Sequence, residues 1–304
     1  MDVKRLELLR ELAERGSVAA VARATHRTPS AVSQQLKVLE REAGVALTER
    51  VGRGIVLTGS GRVLAQTATD VAVALERAQA VWDDFVATPQ GEVTLATFPT
   101  GGQMLLPGLL RTVAETPGLV VVASDHDPSI REFPELAADH DVVIAHSSDD
   151  KPWPGRGLVT VPLLTEPLDI ALPADHRLAG RASLAPGDLE GENWIGVPHD
   201  FPFEWVYREI ERVTGSPVRV AQRFSDTKVT ESLVGAGLGI AVLPRFTAKD
   251  ARDDMVLVPL ESIRAVRWVS ALLRRDRAER PSVRRVVDAL RAEASRVAAL
   301  HGGV

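Results

Sequence analysis

The first sixty residues place apolar side chains at helical spacing in three consecutive segments. In Val3–Arg15 leucines recur every three residues, and Gly16 follows as a helix stop. The second segment, Val18–Ala24, is short, rich in alanine and preceded by Ser17, a residue type that caps helix N-termini. The third segment is Pro29–Ala43. A short small-residue helix, a tight turn and a capped helix with a polar face predict a helix-turn-helix.

The third predicted helix separates its apolar and polar side chains. Val32, Leu36 and Leu39 are spaced four and three residues apart and therefore share one face. The other face has hydroxyls, an amide and cations, which can bond to base edges and phosphates in a major groove. Considered alone, this face also fits an ordinary solvated helix. From this region we assign to DNA binding Ser17, Thr28, Pro29, Ser30, Ser33, Gln34, Lys37 and Arg41.

A hairpin signal follows the third helix. Two short apolar runs between Val45 and Leu57 flank Gly52-Arg53-Gly54, which predicts a hairpin or wing. If the third helix entered a groove, Arg50 and Arg53 would lie beside the phosphate backbone, and we assign both to DNA binding. Exposed loop arginines without such a role are the alternative.

Residues 58–87 predict one long helix. Its apolar residues follow alternating steps of four and three, the heptad spacing with which a helix packs against a partner helix. We predict a homodimer through this helix, which places two DNA-reading helices on half-sites roughly 34 Å apart or a multiple of that. The alternative is a helix that lies on its own domain. The heptad positions are Leu64, Ala68, Val71, Leu75, Ala78, Trp82 and Phe85.

Taken together, these N-terminal motifs resemble those of the LysR-type transcriptional regulators. The matching residues are Ser33, Leu39-Glu40, Gly44, Leu47-Thr48-Glu49-Arg50 and Leu57-Thr58-Gly59-Ser60-Gly61. Thr48 departs from the pattern, because the family usually has Phe there. The resemblance covers essentially the whole chain. It implies a winged helix-turn-helix, paired linker helices, an effector-binding domain of two α/β lobes, and assembly into a homotetramer.

After Thr88-Pro89-Gln90-Gly91, which breaks the long helix, short apolar runs alternate with helical segments. This rhythm predicts a parallel sheet with helices on its faces. Strands are predicted at 93–97, 119–123, 142–145, 169–172, 194–197, 218–224, 240–243 and 267–274. Helices are predicted at 104–114, 130–138, 203–213, 228–235 and 282–300.

We therefore expect an α/β fold with an N-terminal winged helix-turn-helix, a long linker helix and a C-terminal two-lobed α/β domain like periplasmic binding proteins. The predicted boundaries are 1–58 for the DNA-binding domain, 59–88 for the linker helix and 89–304 for the effector-binding domain. The resemblance implies that the last strand and the last helix of the chain belong to the first lobe. Lobe I then comprises about 89–162 and 266–304, and lobe II about 163–265.

Composition narrows the classes of function. The chain has 304 residues, of which 45% are hydrophobic and 25% are charged, as in globular domains. It has no cysteine, which excludes disulfides and thiol-based redox sensing within these residues. Its start is charged and amphipathic, and no apolar run is long enough to cross a bilayer. We therefore expect a cytoplasmic protein without membrane contact.

The charge is unevenly distributed along the chain. Residues 1–60 contain ten Lys and Arg against seven Asp and Glu, which is a net charge of +3. Because the whole chain carries −5, the remaining residues carry −8. A positive N-terminal part on an acidic body suits phosphate binding at one end only.

Ligands of open α/β sheets lie outside the carboxyl ends of strands, near helix N-termini. The side chains at such positions here are hydroxyls, imidazoles, aromatic rings and one ammonium, which could orient a small polar ligand. Each of these residues could equally be a polar residue of an ordinary surface loop. The family resemblance suggests an amino acid or a small organic acid. The expected effector-binding residues are Thr97, Phe98, Pro99, Thr100, Ser124, His146, Pro198, His199, Asp200, Phe201, Asp226 and Lys228.

Other chemical motifs are disfavoured. Gly235-Ala-Gly-Leu-Gly239 follows a helix and precedes a strand, the reverse of the dinucleotide fingerprint, so we expect a tight turn and no cofactor. Asp125-His126-Asp127 with His140 or His146 could be part of a metal site, but we expect a solvated loop and no metal. No G-x-S-x-G, H-E-x-x-H or P-loop spacing is present, so we expect no enzyme.

The sequence thus predicts a LysR-type regulator that binds double-stranded DNA sequence-specifically and responds to a small molecule between the two lobes. The alternative is a solute-binding or enzymatic α/β protein whose N-terminal helices only serve oligomerisation. An oligomerisation arm needs neither a capped polar helix nor the wing at Gly52-Arg53-Gly54, which favours the regulator.

Overall fold

The structure is a computed structural model that describes residues 1–51, 54–86, 90–151, 153, 157–248 and 254–301, with only the backbone for 83–86. Its N-terminal part, residues 1–57, is called the head below. The head consists of α1 (Val3–Arg15), α2 (Val18–Ala24), α3 (Pro29–Ala43), β1 (Thr48–Val51) and β2 (Gly54–Leu57). The predicted bounds of all three helices are confirmed.

Local capping explains where the helices of the head begin and end. The Ser17 hydroxyl accepts a hydrogen bond from the backbone N–H of Ala20 at 3.2 Å, and Thr28 does the same for Ala31 at 3.2 Å. Gly44 ends α3 in the left-handed conformation, with φ at 71°. These signals are local in sequence, which is why the pattern located the helices correctly.

The wing forms as predicted, although Thr48 stands where the LysR pattern has Phe. β1 and β2 pair antiparallel from Thr48–Leu57 to Val51–Gly54. The Glu40 carboxylate accepts hydrogen bonds from the Thr48 hydroxyl at 2.9 Å and from the Thr48 N–H at 2.8 Å. A polar residue is therefore accommodated at this position by α3 itself. The turn at 52–53 lies outside the described residues.

α4 (Gly59–Val86) is the predicted long helix, and it starts against the wing. The Thr58 hydroxyl accepts from the N–H of Gly61 at 3.0 Å and caps the helix. Gly61 packs directly on the backbone of Leu47, because a Cβ at Gly61 would lie 2.0 Å from the Leu47 carbonyl oxygen. The first turn of α4 is thus fixed to the head.

The predicted heptad seam of α4 is divided between two environments. Leu64 and Ala68 pack into the core of their own head, so a partner-facing role for this half of the seam is wrong. Further along, Leu75 is 50% exposed and Trp82 is 60% exposed. The side chain of Phe85 lies outside the described residues. Only the second half of the seam is therefore open to a partner helix.

The rest of the chain alternates strands and helices. Its strands are β3 (Gly91–Thr97), β4 (Leu119–Asp125), β5 (Val142–Ser147), β6 (Leu158–Pro173), β7 (Asn193–Gly196), β8 (Arg219–Arg223), β9 (Ala241–Pro244), β10 (Met255–Val258) and β11 (Val266–Arg274). Its helices are α5 (Pro99–Ala114), α6 (Phe133–Leu136), α7 (Glu204–Thr214), α8 (Thr227–Gly235), α9 (Arg245–Ala248) and α10 (Pro281–Leu300).

One sheet extends through both lobes of this α/β domain. Its strand order is β10-β6-β11-β5-β3-β4, with β9 also paired to β6. β3 is parallel to β4 and β5, as predicted, whereas β11 is antiparallel to both β5 and β6. β6 pairs with β11 up to Pro167 and with β9 and β10 from Leu168 onward. β6 and β11 are therefore the strands that connect the lobes.

Each lobe has its own buried core. That of lobe I combines β3, β4, β5 and β11 with α5 and α10, so the last strand and the last helix pack in this core. That of lobe II combines β6, β7, β9 and α7. Fully buried residues of lobe I include Leu95, Leu105, Ile144, Leu272 and Leu290. Those of lobe II include Ile170, Leu172, Trp194, Val206 and Val242.

Several elements differ from the predicted ones. α9 and β10 were not predicted, because four residues are too few to show a period. α5 starts at Pro99 rather than at 104, with Gly101 in its first turn, where a Cβ would lie 2.7 Å from the Phe98 ring. The helix predicted at 130–138 is a short 3₁₀ turn followed by the four-residue α6.

Buried ion pairs dock α1 of the head onto lobe I. Arg274, the last residue of β11, donates to Glu11 at 2.9 Å and pairs with Glu14 at 2.9 Å. Arg10 donates to Asp276 at 2.6 Å. The side chains of Arg10, Glu11, Arg274 and Asp276 are at most 10% exposed. Buried charges are tolerated only in paired geometry, so these contacts select one arrangement of head and lobe I.

The carboxylates of this junction titrate in opposite directions. Burial would raise the pKa of Glu11 and of Asp276, but neighbouring arginines outweigh it and lower both. Burial dominates at Glu14 and raises its pKa, although Arg274 opposes this. Ionised Glu11 and Asp276 therefore stabilise the fold above their ordinary pKa and lose that contribution on acidification. Glu14 contributes in its protonated form and loses this as pH rises through its pKa.

Gly61→Ala should lower the thermal unfolding midpoint, because its Cβ would collide with the Leu47 carbonyl. Overpacking of this kind costs about 1–3 kcal/mol. Gly59→Ala is the matched control, because a Cβ there meets no atom within 4 Å and alanine favours a helix. Circular dichroism melts compare the two variants with the parent. Equal midpoints for both variants would show that α4 does not pack this closely on the wing.

Candidate DNA interface and interlobe cleft

The polar face of α3 is open to solvent. Ser30, Gln34, Lys37 and Arg41 are exposed and follow one another at steps of four, three and four, so they form one stripe. Ser33 is half-buried beside this stripe. The opposite face of α3 is buried in the core of the head. The stripe therefore presents a hydroxyl, an amide and two cations to solvent.

The remaining predicted DNA-binding residues of the helices shape their N-termini. Ser17 and Thr28 are exposed caps, and Pro29 occupies the first position of α3. Thr28 also shares a hydrogen bond of 3.0 Å with the Ser30 hydroxyl. Ser17 thus fixes the start of α2, and Thr28 and Pro29 fix the start of α3.

The basic side chains of the head fall into two groups. Arg5 pairs with Glu42, while Arg10 and Arg15 bond to Asp276 and Asp139 of lobe I. The second group is exposed and has no ion pair within the described part of the chain: Lys4, Arg23, Arg27, Lys37, Arg41 and Arg50. Arg53 is outside the described residues. The positive charge available to phosphates thus lies at the start of α1, on α2 and the turn after it, on α3 and on the wing.

On lobe I, the predicted effector-binding residues lie at the carboxyl ends of β3, β4 and β5. Four are buried where the lobes meet, with exposures of 1–7%: Thr97, Phe98, Thr100 and His146. Pro99 and Ser124 instead line an outer groove of about 430 Å³ together with Thr97. Ser124 is hydrogen-bonded to the His126 ring at 3.1 Å. Some of these predicted residues therefore lie at the contact between the lobes, and others line the outer groove.

On lobe II, several predicted effector-binding groups are already hydrogen-bonded within the chain. The Glu204 carboxylate bonds to His199 Nδ1 at 2.8 Å and accepts from the Asp200 N–H at 2.8 Å. Burial would raise the pKa of Glu204, but these bonds and Arg208 lower it to about 2. Pro198 and Phe201 belong to the same loop, which follows β7.

The start of α8 holds the other two predicted groups. Asp226 caps the helix by accepting from the Lys228 N–H at 2.8 Å. The Lys228 ammonium donates to Glu231 at 2.9 Å and to the Thr247 carbonyl at 3.3 Å. A ligand would therefore have to compete with Glu231 for Lys228.

The contact between the lobes is centred on an ion pair that the sequence pattern did not indicate. Arg267 on β11 lies opposite Glu166 on β6, and its Nε donates to the Glu166 carboxylate at 2.8 Å. Nη2 of Arg267 also donates to the Thr100 hydroxyl at 3.0 Å. The guanidinium lies 4.9 Å from the ring centroid of Phe98 and 5.5 Å from that of Phe203. Arg267 thus joins rings of both lobes.

Aromatic rings surround this buried ion pair. The His146 ring lies 4.2 Å from the Phe98 centroid, 5.5 Å from Phe133 and 6.0 Å from Phe203. Burial lowers the pKa of His146 well below its ordinary value, and Arg267 adds to this, so the imidazole is neutral. Its Nδ1 is buried without a hydrogen-bond partner among the described atoms. The closed cleft therefore offers an unused hydrogen-bonding atom.

A signal for the missed pair exists in the sequence. Glu166 and Arg267 are charged residues within largely apolar runs, and both prove to be almost completely buried, at 0% and 1% exposure. Charged residues are rarely buried unless they are paired. The pairing itself depends on the register of two strands about a hundred residues apart, which periodicity does not give.

The motifs judged structural from the sequence have structural surroundings. The turn after α8 includes Gly239, where a Cβ would lie 2.7 Å from the Asn193 carbonyl oxygen, so the glycine permits close packing. His126 packs edge-on against His140, with ring centroids 5.2 Å apart. Within the described ranges no three His, Asp or Glu residues are placed to share a metal ion. In the same ranges, no helix has the length and apolarity to span a membrane.

Comparison with known families assigns both parts of the chain. Residues 3–62 match the family described as "Bacterial regulatory helix-turn-helix protein, lysR family". Residues 87–295 match the "LysR substrate binding domain". The two matches correspond to the head with the start of α4 and to the two-lobed domain.

Individual relatives extend this similarity over nearly the full length. The HTH-type transcriptional regulator TtuA of Agrobacterium vitis is 28% identical over 273 residues, 86% of each protein. Full-length OxyR from Pseudomonas aeruginosa, as a variant, superposes with a TM-score of 0.68 at 19% identity, over 96% of this chain and 95% of that one. CbnR in complex with its target DNA gives a TM-score of 0.55 at 24% identity, over 97% and 100%.

Arg267→Met should destabilise the protein, because it leaves the Glu166 carboxylate buried and unpaired. Breaking a buried pair by removing one partner costs about 3–5 kcal/mol. The double variant Glu166→Gln/Arg267→Met removes the orphaned charge and should recover most of this loss. Denaturant unfolding of the parent, both single variants and the double variant gives the coupling free energy between the two side chains. Losses that simply add would contradict the pairing.

Proposed function

Because the chain belongs to the LysR family of transcriptional regulators, we propose that it reads an operator with α3 and that a small molecule between its lobes modulates this. The relatives of this chain are regulators rather than enzymes. Under this proposal the functional division is 1–58 for DNA binding, 59–88 for dimerisation and 89–304 for effector binding.

The exposed stripe of α3 carries the DNA-binding proposal. Ser30 and Gln34 offer groups that hydrogen-bond base edges, and Lys37 and Arg41 offer cations for phosphates or guanine. Arg50 on the wing is exposed, and under this proposal it contacts the phosphate backbone together with Arg53. Ser17, Thr28, Pro29 and Ser33 position the stripe and add phosphate or base contacts. The CbnR structure, titled as a complex with target DNA, shares this fold.

The second half of α4 supports a homodimer. Leu75, Ala78 and Trp82 are exposed at steps of three and four, which is the spacing of a helix–helix seam. Pairing along this half leaves each head on its own α4, because Gly61 fixes the helix to the wing. Two heads would then read two half-sites. A homotetramer is our proposal from the family resemblance alone.

The closed contact between the lobes is the proposed effector site. Opening it would free Thr100, His146 and Arg267, which offer a hydroxyl, a neutral imidazole and a guanidinium among aromatic rings. Such a set suits an amino acid or small organic acid with an apolar part. The other proposed contacts are Thr97, Phe98, Pro99, Ser124, Pro198, His199, Asp200, Phe201, Asp226 and Lys228. Since the chain has no cysteine, a thiol switch is not the regulating event.

Effector binding would change the angle between the lobes about β6 and β11. A ligand shifts this equilibrium only by its difference in affinity for the open and closed forms. The head, docked on lobe I, would then move with lobe I relative to lobe II of the same chain and to a partner. In this way, ligand binding would change the distance between the two heads of a dimer.

The test is a salt titration of binding to the promoter region beside the gene, with competitor DNA and a panel of small metabolites. We expect tight, salt-sensitive and sequence-selective binding, and a changed footprint with the effector. Weak and unselective binding at low salt would remove the DNA-reading role.

Gln34→Ala should weaken specific binding by about 1–3 kcal/mol without changing the salt slope, because the amide reads a base edge. Arg50→Ala should weaken binding to all sequences and flatten the slope by about one unit. Arg285→Ala, an exposed arginine on α10, is the charge-matched control and should leave both quantities unchanged. Footprint titrations at several salt concentrations measure them. Unchanged operator affinity of Gln34→Ala would refute the base contact.

A further inference from the structure

A cavity of about 610 Å³ lies at the junction of the head, α4 and lobe I. This volume is in the range of pockets that bind small organic molecules. Its walls come from α1 and β2, from the first turns of α4, and from α6, β6 and β11 of lobe I. It shares no residue with the lobe contact or with the α3 stripe. We propose that this junction cavity binds a small apolar zwitterion of dipeptide size.

Apolar side chains from all three parts form one portion of the wall. A ligand side chain placed there would remove its own surface and that of the wall from water, which is favourable in proportion to the area. The residues concerned are Leu12, Ala13, Ile55, Leu57, Ala65 and Leu158.

The charged lining carries both signs in equal number. Its members are Arg10, Arg62 and Arg274, and Glu14, Glu49 and Glu135. A ligand of one sign would be attracted by one set and repelled by the other, whereas a zwitterion complements both. Glu49 and Glu135 have no ion-pair partner within the part of the chain that is described. Arg62 gives one N–H to the Leu57 carbonyl at 2.8 Å and keeps its other donors.

Arg10 provides an independent indication of a ligand. Its side chain is 8% exposed, and Nη1 is satisfied by Asp276 at 2.6 Å. Its Nε–H is buried with no acceptor among the described residues. Unpaired buried donors are uncommon in folded proteins and call for an acceptor. A carboxylate oxygen in the cavity would supply one after a small rotation of the Arg10 side chain.

Glu14 is the matching site for an ammonium group. Its carboxylate is 27% exposed and pairs with Arg274 at 2.9 Å. Burial raises the pKa of Glu14 and the nearby carboxylates of Glu11 and Asp276 add to this effect, while Arg274 and Arg10 oppose it, so further positive charge would stabilise the ionised form. A ligand ammonium would provide that charge.

The position of the cavity links its ligand to the docking of the head. Because the walls belong to both the head and lobe I, the complete site exists only while they are docked. A ligand that binds only one arrangement stabilises that arrangement. The zwitterion would therefore hold the DNA-reading head on lobe I, independently of the effector between the lobes.

Calorimetric titration of the full chain with leucyl-phenylalanine tests the proposal. The N-acetylated, the C-amidated and the doubly blocked dipeptides serve as probes that lack one or both charges. We expect saturable binding of the free dipeptide and about tenfold weaker binding for each blocked end, as for the loss of a charge-assisted hydrogen bond.

Three variants locate the bound dipeptide. Ala13→Phe places a ring in the cavity from an exposed position of α1 and should abolish binding. Glu14→Gln should weaken the free dipeptide about tenfold and leave the N-acetylated form unchanged. Glu7→Gln, on the same helix but outside the cavity, is the matched control. Circular dichroism verifies that each variant is folded. If Ala13→Phe does not fold, Glu14→Gln still tests the proposal.

Thr100→Val distinguishes the junction from the contact between the lobes. Binding lost in Thr100→Val but retained in Ala13→Phe would place the dipeptide between the lobes and overturn the proposal. Absence of saturable binding, as expected if a second copy of the chain covers the cavity, would also overturn it. So would equal binding of the free and doubly blocked dipeptides.

Discussion

The antiparallel pairing of β6 with β11 is the constraint on which the rest of the structure depends. The pairing runs from Pro167–Val266, where the lobes meet, to Leu158–Arg274, where the head docks. Arg267 and Arg274 are seven residues apart on β11, about 23 Å along an extended strand. One strand therefore carries both the arginine that joins the two lobes and the arginine that holds α1. Any change of angle between the lobes acts on the strand to which the head is attached.

Both ends of this strand use buried charge rather than apolar packing. An ion pair taken out of water gains little net stability, because desolvation of the charges offsets their attraction. An ion pair instead specifies how the parts it joins are arranged, since only a narrow range of geometries satisfies each carboxylate. The lobe contact has one arginine for Glu166, whereas the junction sets Arg10, Arg15 and Arg274 against Glu11, Glu14 and Asp276. The junction is thus the larger network of the two, which fits its role in holding the head in one arrangement on lobe I.

The sequence predicted what depends on local signals. The caps at Ser17 and Thr28, the stop at Gly44 and the stripe of α3 follow from neighbouring residues, and the structure has them. The two-lobed fold followed from the family resemblance. The Glu166–Arg267 pair and the docking through Arg274 could not be predicted, because they require the register of strands far apart in the chain. The heptad of α4 shows the same limit: periodicity cannot tell whether Leu64 meets its own head or a partner, and Leu64 packs on its own head.

The most direct test of this account is the distance between head and lobe I. The chain has no cysteine, so introduced pairs can be spin-labelled without background. Labels at Arg23→Cys on α2 and Arg284→Cys on α10, in chains diluted with unlabelled protein, report distances within one chain by pulsed electron paramagnetic resonance. The account predicts one narrow distance that broadens when Arg274→Ala removes the docking contacts. A broad distribution in the parent, or no change with Arg274→Ala, would contradict it.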